Sequence, residues 1–242
     1  MDGIEAGSKA PEEVLRYLWS LCVNPAVSPV LFVDTPPARG IAFPHPLALA
    51  RALPRPMSDT QRRPIMDGPA VERIIARMAA EVLRLAGGGA ELVLVGIHRR
   101  GVQLCARLAE AIGDSGVSVS SGSLDITLYR DDLMAVGPRP VVGQTRLPAG
   151  GIDDRIVCIV DDVLYTGRTV RAALDVLADF GRPRRTLLAV LVDRGGRELP
   201  IQADVVGERV EVPEGGRVEV KVPEIDGGDW GVDLQWPGEA DG

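Results

Sequence analysis

Apolar and polar positions along the chain fall into two regimes. From Ile65 onward they switch between helical and strand spacing. Val71, Ile74, Ile75, Met78, Val82 and Leu83 recur every three or four residues, so Pro69–Leu85 is predicted as an amphipathic helix closed by Gly87-Gly88-Gly89. Leu92–Ile97 is a short unbroken apolar run, the pattern of a strand covered on both faces. Val102, Cys105, Leu108, Ala109 and Ile112 mark a second helix. Val117, Val119, Leu124, Ile126 and Leu128 suggest a strand, or a pair of strands, around Ser120–Ser123. Tyr129–Asp154, with its glycines, prolines and charges, reads as a long connection of the kind that often forms a lid. Ile156–Val160 is a second buried strand, Thr169–Phe180 a helix stopped by Gly181 and Pro183, and Thr186–Val192 a further strand. Ala203–Val206, Val210–Val212 and Val218–Val222 have the look of short strands, with Pro237–Gly242 a loose tail.

This alternation predicts an α/β fold, a mostly parallel central sheet flanked by helices on both faces. In such sheets ligands bind beyond the carboxyl ends of the strands. The loops His98–Gly101, Asp161–Thr169 and Asp193–Glu198 emerge there, and each carries charge or glycine.

Residues 1–63 belong to the other regime. Pro11–Cys22 has Val14, Leu15, Leu18 and Leu21 on one helical side, but Pro25, Pro29, Pro36, Pro37, Pro44, Pro46, Pro54 and Pro56 then interrupt both helix and sheet. The expected division is a proline-rich extension over 1–63, poorly ordered or irregularly docked, and a folded domain over 64–242. Met57 is an alternative starting point, which would leave residues 1–56 outside the natural chain.

Composition narrows the class. Hydrophobic content of 45% and charged content of 25% suit a globular chain of 242 residues, long enough for one good-sized core. No apolar run approaches the roughly 20 residues of a membrane span, and the N-terminus lacks the layout of a secretory signal. Cys22, Cys105 and Cys158 are too scattered for a metal site or disulfide frame, so buried thiols and a cytoplasmic location are expected. A net charge of −7 argues against indiscriminate nucleic-acid binding but leaves room for a local basic patch. Lys9 and Lys221 are the only lysines; the other basic residues are arginines, suited to bidentate phosphate contacts.

The chemistry concentrates in Val157-Cys158-Ile159-Val160-Asp161-Asp162-Val163-Leu164-Tyr165-Thr166-Gly167-Arg168-Thr169. Backbone N–H groups from Tyr165 to Thr169 at a helix start attract an anion, the hydroxyls of Thr166 and Thr169 add donors, and Gly167 permits an unusual backbone angle. The loop lacks the Lys-Ser/Thr pair of a triphosphate site, so a monophosphate fits better. Asp161 and Asp162, about a ribose length away, can accept hydrogen bonds from vicinal hydroxyls. The residues alone thus describe a phosphorylated-ribose site.

The Val157–Thr169 stretch resembles the phosphoribosyl-pyrophosphate (PRPP) motif of type I phosphoribosyltransferases. Leu94–Leu108 (LVGIHRRGVQLCARL), Ser123–Leu133 (SLDITLYRDDL) and Leu191–Gly207 (LVDRGGRELPIQADVVG) narrow the resemblance to the PyrR family, pyrimidine operon regulators that are also uracil phosphoribosyltransferases. It covers about Ile65 to Leu234. The resemblance implies the type I fold with a small C-terminal hood and a flexible lid. It also implies the reaction of uracil with PRPP to give UMP and pyrophosphate, with Mg²⁺ carried by PRPP and no direct protein ligand. Asp161, Asp162 and Arg100 become the expected catalytic residues, with Val157–Thr169 binding PRPP. Arg99, Arg100 and Gly101 match the pyrophosphate loop, although Arg99 stands where PyrR proteins often have Thr. Tyr129, Arg130 and Asp131 begin the lid. Arg130 either meets pyrophosphate on closure or pairs with Asp131 or Asp132. Asp193 and Arg194 fall at the base pocket.

The resemblance further implies UMP-dependent binding to pyr operon leader mRNA and assembly as a homo-oligomer. Arg73 and Arg77 on the first helix and Arg182, Arg184 and Arg185 in a turn are candidate RNA contacts, while Ala76 and Ala80 replace polar residues of relatives. A regulator that senses nucleotide without catalysis, and a transferase for another base, are the alternatives.

Overall fold

In the computed structural model the described residues are 60–88, 91–129 and 143–238, all within the compact unit Pro54–Gly242. The strands are β1 (Thr60–Met66), β2 (Leu92–Ile97), β3 (Ser120–Leu124), β4 (Ile156–Leu164), β5 (Arg185–Asp193), β6 (Val205–Arg209), β7 (Arg217–Lys221) and β8 (Gly231–Pro237). The helices are α1 (Gly68–Ala86), α2 (Arg100–Gly113), α3 (Arg168–Phe180) and the short α4 (Pro223–Asp226), with a 3₁₀ turn at Thr127–Tyr129. Val210–Val212 is not a strand, while β8 arises where its alternation had not been recognised.

Five parallel strands in the order β3-β2-β4-β5-β6 form the central sheet. Its strands divide their side chains by the two-residue period. Leu92, Leu94, Cys158, Val160, Leu187 and Ala189 join Val71, Ile75, Met78 and Val82 of α1 and Leu104 and Leu108 of α2 on one face. Val93, Val95, Val157, Ile159, Leu188 and Val190 pack with Val170, Ala173 and Leu177 of α3 on the other. This double covering explains why the central strands read as unbroken apolar runs. Cys105 and Cys158 are free and buried in the first cluster, and burial pushes the Cys105 thiol up to about 12 and raises that of Cys158. Cys22 lies outside the described residues. No helix among the described residues is long and apolar enough to cross a membrane.

Local chemistry sets the ends of α1. Asp67 caps it by accepting the Ala70 N–H at 2.8 Å, and Gly87 closes it at φ 68°.

A second sheet, β1-β8-β7, is antiparallel and forms the hood. It is not purely C-terminal. Thr60–Arg63, expected in the N-terminal extension, pair with Leu234–Pro237, so a boundary after residue 63 cuts through β1. The reason is tertiary. TQRRPIM is mostly polar, and its partner lies more than 160 residues away. Arg62 and Lys221 both pair with Asp233, whose side chain is only 2% exposed, and Gln235 joins Glu219 to Arg217. Val220, Val222, Trp230 and Val232 continue the main core into the hood.

A close backbone approach joins α2 to the sheet. A β-carbon on Gly96 would strike the Gly101 carbonyl and lie 2.6 Å from Val102 Cα, and one on Gly101 would lie 2.6 Å from the Val160 oxygen. Overfilling such a contact costs about 1–3 kcal/mol. Gly96→Ala is therefore expected to lower the urea midpoint at an unchanged denaturant slope. A wild-type midpoint would show that the helix yields without strain.

Candidate active site

The carboxyl ends of β2, β4 and β5 converge. β4 does not end at Val160, where the apolar run stops, but continues through both carboxylates to Leu164. Pairing with β5 carries it on, matching Asp161 to Val190, Val163 to Val192 and Leu164 to Asp193. Polar residues thus occupy a strand because their neighbour supplies the backbone hydrogen bonds. Asp161 is 6% exposed. Its Oδ1 accepts the Asp162 N–H at 3.1 Å, and Asp162 Oδ1 accepts the Val163 N–H at 3.0 Å.

Burial, and then the charge of Asp162, hold the Asp161 pKa well above the ordinary carboxylate range. Burial also raises that of Asp162, opposed by its hydrogen bonds with Asp161 and Val163 and by the nearby Arg100 charge. Gly101 brings α2 against this pair, since a β-carbon there would sit 3.3 Å from Asp161 Oδ1. Arg100 and Asp162 line one cavity of about 190 Å³ with Arg217, Val218, Glu219 and Val220 of the hood. Arg100 donates to Asp226 at 2.8 Å, while its buried Nε has no partner. Arg99, beside it, is exposed.

Tyr165–Gly167 form the loop between β4 and α3. Gly167 has φ 92° and provides no side-chain cap, the Arg168 N–H donates to Thr166 Oγ1 at 3.4 Å, and the start of α3 presents its positive end to an anion. The loop is braced from behind. The Thr166 carbonyl accepts the N–H groups of Glu198 and Leu199 at 3.0 and 3.1 Å, and Gly167 abuts Leu199 and Ile201. Arg168, at the helix start, pairs with Glu198 at 2.7 Å.

Arg197 was not singled out as a site residue in the sequence, yet it ties these loops together. It donates to the carbonyls of Tyr165 at 2.7 Å, Gly195 at 3.0 Å and Ile201 at 3.0 Å, and pairs with Asp193 at 2.6 Å. The four-residue spacing from Asp193 was the available signal. Burial tends to raise the Asp193 pKa, but Arg197, the Gly195 N–H and the charge of Arg209 hold it below the ordinary range. Arg194 stacks 3.9 Å from the centre of the Tyr165 ring and donates to the Gly216 carbonyl at 2.8 Å. Asp193 and Arg194 line a cavity of about 500 Å³ with Arg197, Gln202, Arg209 and Glu211.

The remaining expected residues lie elsewhere. Tyr129 turns towards α3, where its hydroxyl donates to Asp179, and Arg130, Asp131 and Asp132 lie outside the described residues. Before and after that segment, the Asp125 carboxylate accepts the N–H groups of Thr127 and Gly143. Arg73 and Arg77 line a cleft beside β6 with Ile74 and Glu208, and Arg77 donates to the Gly207 carbonyl. Arg182, Arg184 and Arg185 sit at the opposite, amino-terminal edge of β5, where Arg184 pairs with Glu91 and Arg185 donates to the Leu85 carbonyl. Arg73 and Leu85 are about 18 Å apart along α1 at 1.5 Å per residue, so the two arginine groups do not form one cluster. Among the described residues no three His, Cys, Asp or Glu side chains gather as a metal cage.

A parallel sheet with an anion cradle after β4 and paired carboxylates before it is the arrangement of a phosphoribosyl transferase domain, and that family matches residues 62–218. A hypoxanthine-guanine phosphoribosyltransferase from Bacillus anthracis shares the fold, with a TM-score of 0.51 and 17% identity over 61% of this chain and 83% of the other. Bifunctional protein PyrR of Thermus aquaticus is 52% identical over 68% of this chain and 91% of the relative. Bifunctional protein PyrR of Mycobacterium ulcerans is 51% identical over 69% and 91%. The chain belongs to the PyrR family.

The raised Asp161 pKa has a consequence for stability. The folded chain holds this proton more tightly than the unfolded chain, whose aspartates titrate near 3.8. The resulting stabilisation is full below that value and is lost as pH rises through the raised folded pKa. Asp161→Asn keeps the oxygen that accepts the Asp162 N–H and removes the charge. Its urea midpoint should exceed that of wild type at about pH 8 and converge with it near pH 3. Parallel midpoints across that range would exclude a raised Asp161 pKa.

Proposed function

We propose that this phosphoribosyltransferase transfers the phosphoribosyl group of PRPP to uracil, releasing pyrophosphate and forming UMP, and also binds pyr operon leader mRNA when UMP is present. One observation carries the transfer reading. Buried Asp161 and half-buried Asp162 lead directly into an anion cradle opened by Gly167. The base and the regulatory role rest on the relatives named as bifunctional and on the ITLYRDD and DRGGRELP stretches.

In this reading Tyr165–Thr169 hold the ribose 5′-phosphate, and Asp161 and Asp162 accept hydrogen bonds from the 2′- and 3′-hydroxyls. As the bond from C1′ to pyrophosphate breaks, positive charge develops on the ribose, and the two carboxylates favour it. Arg100 and the N–H groups around Gly101 meet the departing diphosphate. Uracil N1 approaches from the side of Asp193 and Arg194 and forms the new bond to C1′ as its N1–H bond breaks, the proton passing to the departing pyrophosphate. Arg197 acts behind them, holding the phosphate loop and the base loop in one geometry. Mg²⁺ prefers oxygen donors, which the diphosphate of PRPP supplies, so the ion would arrive on PRPP while Asp161 and Asp162 hold the ribose hydroxyls. The ion neutralises diphosphate charge when bound.

For RNA, Arg73, Arg77, Arg84 and Arg209 give the α1–β6 side a basic character, interrupted by Glu81, Asp204 and Glu208. This mixture favours a modest, salt-sensitive interaction. Cytoplasmic location and a homo-oligomeric state complete the proposal.

Purified protein given PRPP, Mg²⁺ and an equal mixture of uracil, hypoxanthine and orotate should form UMP in preference to the other nucleotides. Conversion of another base would overturn the uracil assignment, and UMP binding without turnover would leave a nucleotide sensor. Asp162→Asn should lower kcat about 100-fold with little change in Tm; wild-type turnover would remove the diol assignment. In mobility-shift assays UMP should strengthen leader-RNA binding. Arg77→Ala should weaken it and reduce the salt slope by about one. A shift indifferent to UMP would eliminate the regulatory half.

A further inference from the structure

We propose that Asp226 positions Arg100 for the diphosphate of PRPP, so that the hood tunes the pyrophosphate side of the site. The inference rests on the reading of Arg100 as a diphosphate contact. Arg100 opens α2 directly beyond the sheet, whereas Asp226 ends α4 in the chain's hood region, 126 residues later. Their side chains meet at 2.8 Å, with 31% and 28% exposure. An ion pair of that exposure ordinarily contributes little to stability. Its geometry points to another purpose.

The Asp226 carboxylate is fixed by its own turn. Oδ2 accepts the Val222 N–H at 2.9 Å, and the Asp226 N–H donates to the Val222 carbonyl at 2.8 Å. Val222 is fully buried in the main core. One carboxylate oxygen is therefore committed to the turn, and the other is left for Arg100. A side chain locked in this way restricts the rotamers of its partner, which lowers the ordering needed when a ligand arrives.

Arg100 also has a donor without an acceptor. Its Nε is buried and unpartnered, although Nη2 is held by Asp226. Arg100 and Asp162 line the same cavity of about 190 Å³, and Arg217 and Glu219 line it from the hood. A diphosphate entering this cavity meets Arg100 in its wall with Nη2 already held by Asp226. Asp226 touches no reacting atom in this scheme and acts through Arg100 alone.

The test compares wild type, Asp226→Asn, Arg100→Ala and the double variant. Asn can still accept the Val222 N–H, so the turn is kept while the charge is removed. Steady-state kinetics give KM for PRPP and kcat, calorimetry gives the affinities for Mg²⁺-pyrophosphate and for UMP, and thermal melts report stability. Asp226→Asn should raise KM for PRPP and weaken Mg²⁺-pyrophosphate binding about tenfold, as loss of a residue that orients a ligand-binding group commonly does. Affinity for UMP, which carries no diphosphate, should be unchanged. In the Arg100→Ala background the second substitution should add nothing. If Arg100→Ala is impaired and Asp226→Asn is not, positioning is overturned. An undiminished Asp226→Asn effect in the Arg100→Ala background overturns it equally, because the effect would then act by another route. A lowered Tm with unchanged KM for PRPP shows a merely structural pair. If Arg100→Ala itself binds pyrophosphate normally, the diphosphate reading of Arg100 fails and the proposal fails with it.

Discussion

Where α2 begins, the backbone of the helix lies directly against the backbone of the sheet. Gly96 in β2 faces the Gly101 carbonyl, and Gly101 in turn faces the Val160 oxygen and the Asp161 carboxylate. Neither position has space for a methyl group. This approach allows a helix start, a guanidinium and two strand-end carboxylates to occupy one small volume. A wider separation would admit water between α2 and β4. The carboxylates would then lose the low-dielectric surroundings that raise their pKa.

That geometry places an electrostatic conflict at the site. Two adjacent carboxylates lie at the end of a buried strand, and the nearest cation, Arg100, is shared with Asp226 of the hood. The surroundings keep the conflict in place. β5 continues its pairing past both acids, and Arg197 fastens the following loops through four carbonyls and Asp193. Such over-determination is what allows a polar group to remain in unfavourable surroundings. A charged or diol ligand bound here would relieve part of the conflict, since it would supply the partners that the protein leaves out.

The hood shows the same division between local and distant causes. Val220, Val222, Trp230 and Val232 bury it on the core, but β1 joins it from the other end of the domain. Arg62 crosses to Asp233 and Glu219, so a charge in the first described strand secures the last. Thr60–Arg63 read as the end of the N-terminal extension because the pairing of β1 comes from these partners rather than from its own residues.

Legibility in the sequence follows the range of the interactions concerned. Helices α1, α2 and α3 and the buried strands were readable because covering both sheet faces forces apolar periodicity onto contiguous residues. The loop from β4 into α3 was readable for a similar reason, since Asp161, Asp162, Thr166 and Gly167 belong to one short stretch of backbone. Pairings between remote segments left no such trace. Asp226 against Arg100, Arg217 and Glu219 opposite Asp162, and β1 against β8 depend on where the chain returns in space. The sequence by itself determined the layers and the turn from β4 into α3, because local spacing encodes burial and turn geometry. Only the tertiary structure decided which distant charges close the cavity, because contact between them requires the whole sheet and hood to be assembled.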